Sequence, residues 1–163
     1  MFGFAIQPPS RVRPNVSLYP PVTARLASDV DIFGELGHIW AVATLIHRDS
    51  GETLYEQLGG KLADSAHPLP DNGRGSSSAM KDRAYFCFPD IVIHHPGRYR
   101  VRITLMHVDY SCGSSPSGVV TVSEHTDSNT IMVEEGSPRA RPNGQEYAFL
   151  RILRDDGQQV PLS

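Results

Sequence analysis

Thirteen of the fifteen basic residues in this 163-residue chain are arginines, and most fall in short clusters. Guanidinium groups recur at every second position in Arg98, Arg100 and Arg102, and Arg11 and Arg13 repeat the spacing. Residues i and i+2 of an extended chain point the same way, so each set presents a row of cationic forks. Such forks suit phosphate and carboxylate alike. The rows therefore read either as an anion-binding surface or as ion pairs with the eighteen acids.

A second constellation is His107-Val108-Asp109, with His125 downstream and His94-His95 upstream. On a strand His107 and Asp109 share a face, and a distant histidine would complete the two-histidine, one-carboxylate set of an iron oxygenase. A solvated strand end is the plainer reading, and no glycine-rich jelly-roll context accompanies the histidines. The chain has no Walker loop, dinucleotide fingerprint, paired Cys-x-x-Cys or nucleophile elbow. These residues speak against an enzyme, and no cofactor or resident metal is expected.

The elements that carry the arginines are legible from periodicity. Tyr99, Val101, Ile103 and Leu105 alternate with Arg98, Arg100, Arg102 and Thr104, the signature of a half-buried strand. At Leu105-Met106 the apolar phase slips, which predicts a β-bulge or a sandwich crossing. Upstream, Tyr85 to Phe88 form an aromatic strand ended by Pro89-Asp90, and Ile91 to Ile93 resume. His94-His95-Pro96-Gly97 then turns the chain, so the region reads as a core hairpin. Arg98, Arg100 and Arg102 would brace its sheet against acids of a neighbouring strand.

Other strands are expected at Phe2 to Ile6, at Leu18 to Leu26 and at Val119 to Val122, with a short one at Thr130 to Val133. Ile39 to His47, which holds the lone Trp40, reads as a central strand buried on both faces. Glu124 to Asp127 reads as an acidic link. Residues Ala63 to Lys81 contain little that could be buried and are expected as one long flexible loop. Near the end, Asn143 and Glu146 can cap a helix that carries Phe149, Ile152 and Leu153 on one stripe and stops at Gly157. A strand over Ala148 to Leu153 is the competing assignment.

Length, 39% apolar content, thirteen prolines and fourteen glycines fit one mainly β domain over residues 1–163. Neither a signal peptide nor an 18-residue apolar run is visible, so no membrane partner is expected. Cys87 in an aromatic strand and Cys112 in a Ser/Gly loop read as reduced thiols of an intracellular protein. The formal net charge of −3 does not by itself mark a nucleic-acid binder.

Several segments together resemble the velvet family of fungal regulators. They are Gln7-Pro8 with Arg11 and Arg13, Leu18-Tyr19-Pro20-Pro21, and Asp64-Ser65-Ala66-His67. Most specific is Tyr85-Phe86-Cys87-Phe88-Pro89-Asp90 followed by Pro96-Gly97-Arg98-Tyr99-Arg100-Val101-Arg102. The resemblance implies an immunoglobulin-type β-sandwich like the DNA-binding half of Rel/NF-κB proteins, here with a C-terminal helix. It also implies DNA binding, homo- or heterodimers with other velvet proteins, and action in nucleus and cytoplasm on sporulation, development and secondary metabolism. Some members join a methyltransferase-like regulator.

The DNA contacts so implied are Arg11 and Arg13, helped by Lys81 and Arg83. Two departures bear on them. The lysine- and arginine-rich loop of many relatives is shortened here to Arg11 and Arg13, and Gly157 to Pro161 lacks basic residues. An interaction module that reaches DNA only through a velvet partner is the alternative.

Overall fold

The structure, a computed structural model, describes residues 2–28, 37–54, 56–69, 81–109, 119–136 and 144–158. Its strands are β1 (Phe2–Ile6), β2 (Arg11–Val12), β3 (Val22–Ser28), β4 (Ile39–His47), β5 (Leu58–Gly59) and β6 (Ala63–Ser65). They continue as β7 (His67–Pro68), β8 (Lys81–Phe88), β9 (Val92–Ile93), β10 (Gly97–Asp109), β11 (Val119–Asp127) and β12 (Ile131–Val133), and one helix, α1 (Gly144–Asp155), follows.

A four-stranded sheet in the order β1-β3-β8-β7 packs against a six-stranded one in which β2-β12-β10-β4-β6 are joined by β11 on β10. The core between them takes Phe2, Ala24, Phe86 and Phe88 from the first sheet and Ala41, Leu45, Val101 and Ile103 from the second. Burial of each large side chain contributes roughly 2–3 kcal/mol to this sandwich. The alternation read from Tyr99 to Leu105 is the inward face of β10.

The first sheet is covered on its other face too. Leu150 and Leu153 of α1 sit on Ile6, Tyr85 and Cys87. Strand β8 therefore sends Ala84, Phe86 and Phe88 into the sandwich and Tyr85 and Cys87 under the helix. Burial on both sides is the reason for its unbroken aromatic run. No described helix is long and apolar enough to cross a membrane.

Several expectations change. The region from Arg83 to Tyr110 is not a hairpin, because β8 and β10 belong to opposite sheets. Between them β9 pairs with β5, and its other side is taken by Asn15 to Leu18, whose Asn15 N–H donates to the Ile93 carbonyl at 2.9 Å and whose Leu18 N–H donates to that of Ile91 at 2.8 Å. With both edges of β9 occupied, the chain crosses the sandwich instead of folding back. The strand expected from Leu18 begins only at Val22, after the two prolines.

Strand β4 is central, between β10 and β6, yet only one face is buried along its length: Ile39, Ala41, Ala43 and Leu45 point inward, while on the other face Ile46 is buried and Trp40 is 37% exposed. The segment expected as a flexible loop holds β6 and β7 and buries Asp64 and Leu69, while Lys81 already opens β8; residues 70–80 lie outside the described residues. Glu124 to Asp127 are the last residues of β11, not a link. The phase slip expected at Leu105-Met106 is not in β10, which stays in register with β4 through His107; the bulge there belongs to β11, whose extra residue is Ser123, since Leu105 pairs with Glu124 and Met106 with Val122. Helix α1 forms as expected and ends at Gly157, whose φ is +91°. Its expected cap, Asn143, lies outside the described residues.

Candidate nucleic-acid interface

Arg11 and Arg13 flank Val12, which is buried. β2 runs parallel to β12, with Met132 opposite Arg11 and Val133 opposite Val12. Met132 N–H donates to the Ser10 carbonyl at 2.7 Å and Glu134 N–H to the Val12 carbonyl at 3.0 Å, so the short strand is pinned on both sides of its anchor. With Val12 facing the core, the two arginines project outward together, about 7 Å apart along the chain. Both are exposed.

The same ladder reaches β10. Met132 is also opposite Arg98, so Arg98, Met132 and Arg11 form one cross-strand row. Residues opposite one another share a face, and across one intervening strand they stand about 9–10 Å apart. Arg100 follows Arg98 on that face, and both are exposed. Four arginines from two distant parts of the chain thus converge at one end of the six-stranded sheet, with Glu134 and Glu135 exposed beside them.

Arg102 differs from its neighbours. It stands opposite Asp127 and donates Nε to Oδ1 at 2.7 Å and a second guanidinium nitrogen to Oδ2 at 3.0 Å. These bonds hold the Asp127 carboxyl below its ordinary value against the opposing effect of burial. The bracing expected of the arginine row is therefore carried by Arg102.

Lys81 and Arg83 lie elsewhere. Ile6, five residues before Arg11, is opposite Thr23, which is opposite Cys87, whereas Lys81 is opposite Ser28 at the far end of β8. Six residues of strand, roughly 20 Å, separate the two levels. The register shift between Leu26 and Ala27 makes Arg83 the extra residue of a bulge there. The structure brings Arg11, Arg13, Arg98 and Arg100 together and leaves Lys81 and Arg83 apart.

A carboxylate cluster not singled out in sequence as chemistry lies behind the same sandwich. Asp64 is buried and accepts hydrogen bonds from Cys87 N–H at 2.8 Å, Lys61 Nζ at 3.0 Å and His67 Nε2 at 3.0 Å. His67 stacks on Tyr85, whose hydroxyl donates to Asp156 just beyond α1. Burial and the Asp156 carboxylate both push the Tyr85 hydroxyl upward, keeping it a donor. The spacing of Lys61, Asp64 and His67 at three-residue steps was the visible signal. With every partner satisfied, the cluster ties together β6, β8 and the helix.

His107, weighed in the sequence as one of an iron-ligand set and as a solvated strand end, stacks on His38 with ring centroids 6.1 Å apart. Among the described residues no three His, Cys, Asp or Glu side chains are grouped to hold a metal ion.

A family model described as Velvet factor matches residues 16–138, three quarters of the chain. The match includes Lys81, Arg83, Arg98 and Arg100 and begins after Arg11 and Arg13. No curated protein matches the chain.

Proposed function

Because this chain belongs to the velvet factor family of fungal regulators, we propose that it is a transcription regulator that binds DNA, as a homo- or heterodimer, in the control of development, sporulation and secondary metabolism. The family is regulatory and not enzymatic. The observation that carries the DNA reading is the convergence of Arg11 and Arg13 with Arg98 and Arg100 on one outward sheet face. An array of forks at spacings of about 7–10 Å can engage successive phosphates, and an arginine among them can read a guanine edge. Lys81 and Arg83 belong to this reading as a second contact, carried by the other sheet and set roughly 20 Å away along the strands. The likeness to Rel/NF-κB domains and action in nucleus and cytoplasm are parts of the same proposal.

The test is binding to promoter DNA across a salt series. Changing Arg11→Ala and Arg13→Ala together lowers the slope of log K against log salt by about two, one for each lost phosphate contact. Arg98→Ala with Arg100→Ala has a similar effect. Unchanged affinity and slope in both pairs would remove this face from the interface.

The net charge of −3 and the two glutamates beside Arg13 favour a second reading. In it the chain is an interaction module that reaches DNA only through another velvet protein or joins a methyltransferase-like regulator. Light scattering of the protein alone and mixed with other velvet proteins separates the two. A heterodimer that shifts DNA when the single protein does not would establish the second.

A further inference from the structure

The arginine face has a further member. Beyond the pairing of Tyr99 with His47 the ladder between β10 and β4 continues one step, since Arg48 N–H donates to the Arg98 carbonyl at 3.1 Å. Arg48 is therefore opposite Arg98, and one cross-strand row reads Arg48, Arg98, Met132 and Arg11. All three arginines are exposed.

Two cations directly opposite on neighbouring strands, about 5 Å apart, repel one another. Arg102, on the same face, has Asp127 to neutralise it. Among the described residues no carboxylate forms an ion pair with Arg11, Arg48, Arg98 or Arg100. The fold thus leaves the row unbalanced, and an anion from outside the chain offsets it.

We propose that this row straddles the minor groove of a duplex, with Arg98 inserted into the groove and Arg11 and Arg48 on the phosphates of the two strands, so that the protein selects A·T-rich DNA whose minor groove is narrow. The inference rests on the DNA reading given above and adds to it Arg48, the groove and the class of site.

Span favours this groove. Three interstrand spacings of about 4.8 Å set Arg11 and Arg48 about 14 Å apart. The minor groove is about 6 Å wide and the major about 12 Å, so with a phosphate radius of roughly 3 Å on either side the phosphate centres stand about 12 and 18 Å apart. The row is nearer the first. A four-stranded face is also too broad for the major groove, which admits a helix or a two-stranded ribbon, whereas a single guanidinium fits the minor groove.

The repeat agrees as well. With the row laid across the groove, β10 runs along it. The strand rises about 3.4 Å per residue, as does the duplex per base pair, so Arg100, two residues after Arg98, falls about two base pairs further along the same groove. The residues paired with Arg98 and Arg100 are Met132 and Ile46, neither of which has a side-chain donor for a base edge. Base sequence is then felt through groove width. A narrow A·T-rich groove concentrates negative potential and attracts arginine, while the guanine 2-amino group obstructs a G·C groove.

Inosine separates the two grooves without altering the protein. Replacing guanine by inosine removes the 2-amino group from the minor groove and leaves the O6 and N7 acceptors of the major groove in place. Binding of the full chain is followed by fluorescence anisotropy at fixed salt, on duplexes of equal length whose centres are A·T, G·C or I·C. The A·T and I·C duplexes are expected to bind about five- to tenfold more tightly than G·C. Arg98→Ala brings the duplexes to within about twofold of one another. Arg48→Ala weakens binding to all of them alike and lowers the salt slope by about one, as a lost phosphate contact does. Circular dichroism confirms the fold of both variants, and the comparison of duplexes on the wild type stands without them.

DNA binding in which I·C ranks with G·C, an A·T preference that survives Arg98→Ala, or unchanged affinity and slope in Arg48→Ala would each overturn the proposal and leave the DNA reading in place. Absence of binding to every duplex would remove both.

Discussion

Asp64 shows how one carboxylate can decide the fate of a segment. Its side chain is about 4% exposed, and burial alone would raise its pKa. Hydrogen bonds from His67, the Cys87 N–H and Lys61 outweigh that cost and hold it below 3.8. A depressed folded value means the contribution is fully present above the unfolded value and is lost as pH falls through the folded one. Asp64→Asn should therefore cost about 1–3 kcal/mol at pH 7, with the gap to wild type closing as pH falls below 3.8. Urea unfolding at several pH values measures both. The residues around Asp64 are polar enough to read as a loop. Its partners lie three residues away on either side and on a strand 23 residues on, and only the last of these brings it into the interior.

At the scale of elements, α1 was readable to its last turn because its stop signal is local. Gly157 N–H donates to the Arg154 carbonyl at 3.0 Å and Gln158 N–H to that of Leu153 at 3.0 Å, a paired closure that requires a left-handed residue at position 157. Gly157→Ala should destabilise the protein by about 1 kcal/mol, since a Cβ is disfavoured there while open space surrounds it. Thermal melting checks this, and a loss of several kcal/mol would point to contacts the glycine does not show. Strand β9 is the opposite case. Ile91 to Ile93 looked like half of a hairpin because a turn follows, but whether a turn reverses a strand within its sheet or leads into the opposite sheet depends on which partners occupy its edges. Those partners, Leu58-Gly59 and Asn15 to Leu18, are remote in sequence.

For the whole molecule, the three layers of helix, first sheet and second sheet seal Cys87 in the interior. Burial first, and the Asp64 carboxylate next, push its thiol up to about 12. Alkylation of Cys87, followed site by site with mass spectrometry, should track global unfolding, because its side chain is fully buried on β8 beneath α1. Leu153→Ala, which removes a fully buried side chain from the helix contact, should cost about 2–4 kcal/mol and accelerate alkylation in proportion. Fast labelling of the native wild type would show that the helix leaves the sheet on its own. The same layering closes the outer face of one sheet with the helix and leaves the arginines gathered on the outer face of the other.

The chain alone determined what depends on near neighbours: the two-residue period that makes β10 half-buried, the glycine that ends α1, and the motifs that place it in its family. Tertiary structure decided whatever depends on partners far along the chain. It set β8 and β10 in opposite sheets, buried Asp64, neutralised Arg102 with Asp127, separated Lys81 and Arg83 from Arg11, and placed Arg98 beside it. Periodicity records which way a side chain points from its own strand. Which strand lies next to it is settled by the packing of the whole core, and that adjacency is what turns scattered arginines into a surface.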